Sequence, residues 1–313
     1  MKYLEYLNNL IKREIAKSEY LVVFGQNINA GSSLGGLTRG MKVRVSSRII
    51  NSTNAENSLV GLGFGLMMNG AKGIFFMKQM DFLLLGIDQL VNTCNIIKGV
   101  KHQPKGGAFT IVAVVVDSGY EGPQSSLNNF ADFCSIAGIP GFAVTNKEDA
   151  DYIFSHYLTK PGFQIIGLSQ RLFKEELIVP DKVNYRNEDG TLYQYSNGSF
   201  ATVVCFNFTF PYGWAIKNKM EEKGPHSSLF GVNALTPINW EPILKNVEKS
   251  RKLVLLDDSK SRNLACFSLL AEIENRIRLK KRIIITRKFG EDWLKPNPDR
   301  LAIDIERVIG ELI

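Results

Sequence analysis

The chain has 313 residues, 44% of them hydrophobic, and carries 38 Lys and Arg against 31 Asp and Glu for a net charge of +7. That is enough apolar sequence for two buried cores, hence two domains, and no uninterrupted apolar run of about twenty residues is present to make a membrane span. The positive charge is densest at Arg276, Arg278, Lys280, Lys281 and Arg282, where basic residues complement the end of a helix; with no aromatic interleaving and no nucleic-acid motif, this does not describe a nucleic-acid surface.

Residues 1–15 repeat apolar and charged side chains at helical spacing, unlike the single apolar block of a signal peptide. A strand is expected over residues 20–25, leaving through Gly25-Gln26-Asn27 to a glycine- and serine-rich loop at 31–36, the carboxyl end of a strand where ligands of α/β proteins sit. Ser52-Thr53-Asn54 are helix-capping types, so Glu56 falls in the first turn of the next helix, where exposed N–H groups favour a carboxylate. Gly61, Gly63, Gly65 and Gly70 each cost about 1 kcal/mol against alanine inside a helix, so a helix carrying them needs something packed close to its backbone, a neighbouring helix or a subunit. The short apolar run 74–77 suits a buried strand, and residues 81–98 return to helical spacing.

A clear β-branched strand over 109–116 leads to a loop containing Gln124-Ser125; strand 142–144, helix 148–158 and strand 163–166 complete a first domain of residues 1–180. Residues 181–198 are polar and turn-rich and read as a linker. The second domain, 199–313, should place strands at 202–206, 227–232, 253–256 and 282–286 between helices over 212–222, 240–248 and 263–276. Strand alternating with helix argues for an α/β protein of two domains, each a mainly parallel sheet flanked by helices. Cys94, Cys134, Cys205 and Cys266 are too scattered for a zinc site or a disulfide frame and read as buried free thiols of a cytoplasmic protein.

The block from Ser52 to Gly61, with Glu56 at its centre, followed by Phe82 and Asp88-Gln89-Leu90-Val91-Asn92, resembles the pyrimidine-binding half of thiamine diphosphate enzymes. The likeness is to the beta subunit of the E1 component of 2-oxo acid dehydrogenases and, more distantly, to the middle and C-terminal domains of transketolase; it covers nearly the whole chain. Asn54 stands where that family has leucine or isoleucine, and Asn233-Ala234-Leu235-Thr236-Pro237 stands where it has R-T-L-x-P. The resemblance gives Glu56 the role of hydrogen-bonding N1′ of the cofactor's pyrimidine, which drives the 4′-amino group to its imino form so that it can take the C2 proton. It sets Phe82 against the aminopyrimidine face and puts Lys78 in the same pocket. Taken without it, the same residues are a helix-start carboxylate, a core phenylalanine and a solvated strand end.

Two departures matter. The substrate-side histidine of the family falls at Ser125, beside Gln124, and a hydroxyl does not shuttle protons near neutral pH as imidazole does. That puts acyl transfer to a lipoyl arm in doubt and leaves carbanion formation untouched. The Gly-Asp-Gly segment and asparagine that hold Mg²⁺ and the diphosphate are missing, since Glu188-Asp189-Gly190 lacks the leading glycine. The resemblance then implies an alpha-type subunit that carries the Mg²⁺ site, in an α₂β₂ complex. The adjacent Asp257-Asp258 is not read as a metal pair, because neighbouring side chains of an extended strand diverge.

The activity implied is cleavage of a 2-oxo acid or a ketose next to its carbonyl, with transfer of the acyl or two-carbon fragment to an acceptor. A non-catalytic or degenerate partner subunit, or a split transketolase C-terminal subunit, is the alternative. A nicotinamide-binding reading of Gly61-Leu62-Gly63-Phe64-Gly65 with Asp81 fails on spacing and on the lack of a strand directly before the glycines.

Overall fold

The computed structural model describes residues 1–100, 106–118, 128–235, 238–260, 263–287 and 301–313. The first unit runs α1 (Tyr3–Lys17), β1 (Leu21–Gly25), β2 (Arg48–Asn51), α2 (Glu56–Met68), β3 (Lys72–Met77), α3 (Cys94–Gly99), β4 (Ala108–Val115), α4 (Phe130–Ala137), β5 (Gly141–Val144), α5 (Lys147–Tyr157) and β6 (Gly162–Ser169). Its six strands lie in the order β2-β1-β3-β4-β6-β5 and all pair in parallel. A central parallel strand is covered on both faces, which is why β4 reads Ala-Phe-Thr-Ile-Val-Ala-Val-Val with every residue buried. One face packs Leu7, Ile11, Ile153 and Phe154 of α1 and α5; the other packs Val60, Phe64, Phe130 and Phe133 of α2 and α4.

The second unit contains β7 (Tyr185–Arg186), β8 (Leu192–Ser196), β9 (Thr202–Phe206), α6 (Phe210–Glu222), β10 (Ser228–Val232), α7 (Glu241–Ser250), β11 (Lys252–Asp257), α8 (Phe267–Arg276), β12 (Lys281–Thr286) and α9 (Ile305–Leu312). The order is β12-β11-β9-β10-β8-β7, parallel except for the last two strands. The chain is therefore α/β with two mainly parallel six-stranded sheets, and among the described residues no helix is long and apolar enough to cross a membrane.

Two expectations are corrected, and one strand was not expected. The supposed linker 181–198 is built into the second sheet as β7 and β8. Asn187 accepts hydrogen bonds from the amides of Thr191 and Leu192 and closes the hairpin between them, and turn chemistry on both sides hid the five-residue strand. Residues 81–98 are not one helix. They form a 3₁₀ stretch at Met80–Gly86, a π turn at Gln89–Thr93 and then α3, because Gly86 is pressed against α2 so closely that a Cβ there would meet Val60 Cγ2 at 2.9 Å. The edge strand β2 is too short and too exposed to announce itself as a strand.

The units join along the edge of the first sheet. Ala143 N donates to Asn233 O at 2.7 Å, Leu235 N donates to Gly141 O at 3.0 Å, and Phe142 bridges Ala234 in antiparallel fashion. Beside this seam the carboxylate of Asp149 accepts from Thr145 N and Oγ1, Asn146 N and Nδ2, and Asn233 Nδ2. Burial pushes the Asp149 carboxyl up to about 6, and those hydrogen bonds hold it from rising further.

Candidate functional site

A parallel sheet collects its loops at the carboxyl ends of its strands, and a narrow cleft opens there between β1 and β3. Gln26 enters it from the end of β1, Thr53 from the β2–α2 connection, Phe76 and Lys78 from the end of β3, and Phe82 from the 3₁₀ stretch beyond. Glu56, the first residue of α2, faces the same cleft.

Sequence predicts a side-chain cap for α2, and the structure does not show one. Ala55 occupies the cap position, and Ser52 Oγ is buried without a hydrogen bond among the described residues. Glu56 is then the only acidic group in the helix's first turn to meet its positive end. It is 9% exposed, and its carboxylate makes no hydrogen bond or ion pair among the described residues. A carboxylate set in a cleft without a partner among the described residues can accept from a proton-bearing ligand nitrogen.

The other walls are apolar and flat. Phe82 is half-buried on the core that holds Val60, Phe64 and Leu83, while Lys78 is exposed at the rim. The cleft thus combines a carboxylate acceptor, aromatic side chains and a cation at its rim, the kinds of group that contact a planar heterocycle with a ring N–H. Glu56, Lys78 and Phe82 line the same cleft. Gln26 and Thr53, read from sequence only as a strand exit and a cap residue, line the cleft as well. Gln124 and Ser125 lie outside the described residues, as do Thr236 and Pro237.

The glycines of α2 have different reasons. A Cβ on Gly63 would stand 2.1 Å from the Phe109 ring, so this glycine lets the helix lie on the sheet. A Cβ on Gly61 would meet Gln89 Oε1 at 3.4 Å, and Gln89 is held by Thr93 Oγ1 at 2.7 Å. Among the described residues, nothing outside its own helix backbone lies within 4 Å of where a Cβ on Gly65 would be, and Leu62 on the same helix is 45% exposed. The close approach expected at all of them is met inside the chain at Gly61 and Gly63 but not at Gly65.

At the carboxyl edge of the second sheet, Asp257 and Asp258 diverge to separate partners. Asp257 accepts from Asn207 Nδ2, Ser259 N and Oγ, and Cys266 N. Asp258 accepts from Asn128 Nδ2 and Phe208 N and lies 3.4 Å from Arg171; its carboxyl is pushed up to about 6 by burial, opposed by Arg171 and Arg287. Cys94, Cys134, Cys205 and Cys266 are buried and unpaired with one another.

No protein-family model matches the sequence. Among curated proteins, the pyruvate dehydrogenase E1 component subunit beta-3, chloroplastic, of Arabidopsis thaliana is 21% identical over 321 residues, covering 97% of this chain and 78% of that protein. The pyruvate dehydrogenase E1 component subunit beta of Cyanidium caldarium is 23% identical over 81% of this chain, and that of Staphylococcus epidermidis is 20% identical over 95% of it and 91% of its own length. Over most of its length the chain is similar to pyruvate dehydrogenase E1 beta subunits. Among solved structures, a split-gene transketolase described as an inactive beta4 tetramer matches with a TM-score of 0.69 at 14% identity, over 98% of this chain and 95% of that one. That match shows a fold shared over both units.

Proposed function

We propose that this chain is the beta-type subunit of a cytoplasmic, thiamine diphosphate-dependent enzyme that cleaves a 2-oxo acid or a ketose next to its carbonyl and passes the fragment to an acceptor. The observation that carries the reading is the carboxylate of Glu56, a residue 9% exposed, without a partner among the described residues and set in a cleft beside Phe82. These residues fit the pyrimidine half of the cofactor: Glu56 accepts from N1′, Phe82 bears on the ring face, and Lys78 stands at the rim. When bound, the group supplies a nucleophilic carbon that attacks the substrate carbonyl. Glu56 holds the proton exchanged at N1′, and Phe76 and Phe82 keep water from the ring.

The open face at Gly65, with Leu62 exposed on the same helix, supports a second polypeptide seated on α2. The reading assigns Mg²⁺ and the diphosphate to that alpha-type partner, in an α₂β₂ complex. The oxo-acid version is preferred on the Asp88–Asn92 block. Ser125 in the histidine position favours the second reading, a partner subunit that has lost turnover.

The test is co-expression with an alpha-type chain that carries a Gly-Asp-Gly segment. Thiamine diphosphate and Mg²⁺ should co-purify only with the pair, and the pair should exchange the cofactor's C2 proton with solvent. Glu56→Gln should stop that exchange while the complex stays assembled. Undiminished exchange in the variant overturns the role of Glu56, and an assembled, cofactor-loaded wild type that exchanges no faster than free cofactor establishes the second reading.

A further inference from the structure

Away from the Glu56 cleft, the densest group of buried charges lies where the carboxyl edges of the two sheets face each other. Asp117 follows β4, Arg171 follows β6, and Asp258 follows β11; the two carboxylates are 0% and 1% exposed. Arg171 reaches both. Its main-chain N–H donates to Asp117 Oδ1 at 2.9 Å, its Nε lies 3.5 Å from Asp117 Oδ2, and its Nη2 lies 3.4 Å from Asp258 Oδ2. The same Nη2 donates to Phe208 O at 3.0 Å, and the guanidinium sits 4.9 Å above the ring of Tyr212, so both a loop and a helix of the second unit grip a side chain of the first. Ser169 Oγ donates to Asp117 Oδ2 at 2.6 Å, and Arg287 Nε donates to Asp258 O at 2.6 Å.

The cluster also holds the far end of the β4–α4 connection that Asp117 begins. Asn128, two residues before α4, donates to Asp258 O and Oδ1 at 3.2 and 3.1 Å, and its own carbonyl accepts from Lys260 N at 3.0 Å. Asp117 and Asn128, near the two ends of one connection, are thus fixed to one buried ionic group. A planar guanidinium with five donors suits this arrangement, because it can serve two carboxylates and a carbonyl from one centre; a lysine ammonium cannot span them in the same plane.

We propose that Asp117, Arg171 and Asp258 form a buried ionic latch through which the second unit fixes the carboxyl edge of the first sheet, at the exit of β4 and the entry to α4. The latch is separate from the backbone seam at Ala143 and Asn233, where the buried carboxylate of Asp149 meets only neutral donors. It stands independently of the chemistry assigned to Glu56.

Amide hydrogen exchange on the full chain tests it. In Arg171→Met, the amides of residues 116–118, 128–130 and 257–259 should exchange at least about tenfold faster, while those of β1 and β9 keep their wild-type rates. Thermal unfolding should fall by on the order of 5–10 °C, because two buried carboxylates lose their shared cation. Arg171→Lys, which keeps the charge and loses the fork, should fall between, and it carries the exchange measurement if the methionine variant does not fold. Faster exchange confined to residues 170–174, with 128–130 and 257–259 unchanged, overturns the latch.

Discussion

Both sheets end in buried carboxylates at their carboxyl edges, yet the two edges are finished differently. At the second, Asp257 is saturated by four donors and Asp258 by amide donors and arginine. At the first, Glu56 is nearly as buried and makes no bond within the described residues. A saturated acid holds structure together, and an unsatisfied one waits for a ligand. The contrast also explains why two adjacent aspartates, conspicuous in sequence, are structural while a single glutamate carries the proposed chemistry.

The sharpest way to break that comparison is to neutralise each edge in turn. Glu56→Gln should reduce turnover of the assembled enzyme by about 10²–10⁴-fold, the range for losing a general acid/base, with the unfolding midpoint in urea unchanged or raised. Asp257→Ala should do the reverse. It strands four buried donors, so urea unfolding should show a loss of about 3–5 kcal/mol, and residual activity should follow the folded fraction. Equal losses of stability from both changes would erase the distinction.

The seam at Asp149 sharpens the comparison through pH. Its carboxyl is held near 6 in the fold, above the ordinary aspartate value of about 3.9, so the folded chain binds the proton more tightly than the unfolded chain. That contribution is present in full below about pH 4 and is lost as pH rises through 6, a change on the order of 2–3 kcal/mol. The stability of the wild type relative to Asp149→Asn, from urea titrations at pH 4.5 and 7, should therefore be greater at the lower pH. A difference independent of pH removes the idea.

The smallest effects come from the helix that presents Glu56. Gly63→Ala should cost about 1–3 kcal/mol, because the new methyl collides with the Phe109 ring. Gly65→Ala, in open space, should raise the stability of the isolated chain by up to about 1 kcal/mol while weakening assembly with the alpha-type partner. Calorimetry of the chain alone and sedimentation of the mixed subunits separate these two results.

Much of the fold was readable because its strands are short apolar runs set between turns. Residues 202–206 emerge as β9 without adjustment, and 109–116 differs from β4 by one residue at each end. β8 was not readable, since its Tyr193 and Tyr195 sit among asparagines and glycines whose local signal is a turn, and only pairing with β10 makes them a strand. The gathering of Glu56, Lys78 and Phe82 followed from one strand-turn unit and the family pattern. The lack of a partner for Glu56 did not, because a hydrogen-bond inventory exists only in three dimensions. Arg171 gave no signal at all: it sits in a short turn after β6, and its partners Asp117 and Asp258 are 54 and 87 residues away.

The antiparallel bridge between Phe142 and Ala234 has a practical outcome for anyone dividing this polypeptide. β5 is the last strand of its sheet, and among the described residues its outer main chain is paired with residues 233–235. A fragment ending at residue 180 would bare that row of amides and carbonyls, a template for fibrils and for swapped dimers. The boundary that looks natural on paper is the wrong place for scissors; the two halves are better kept on one backbone.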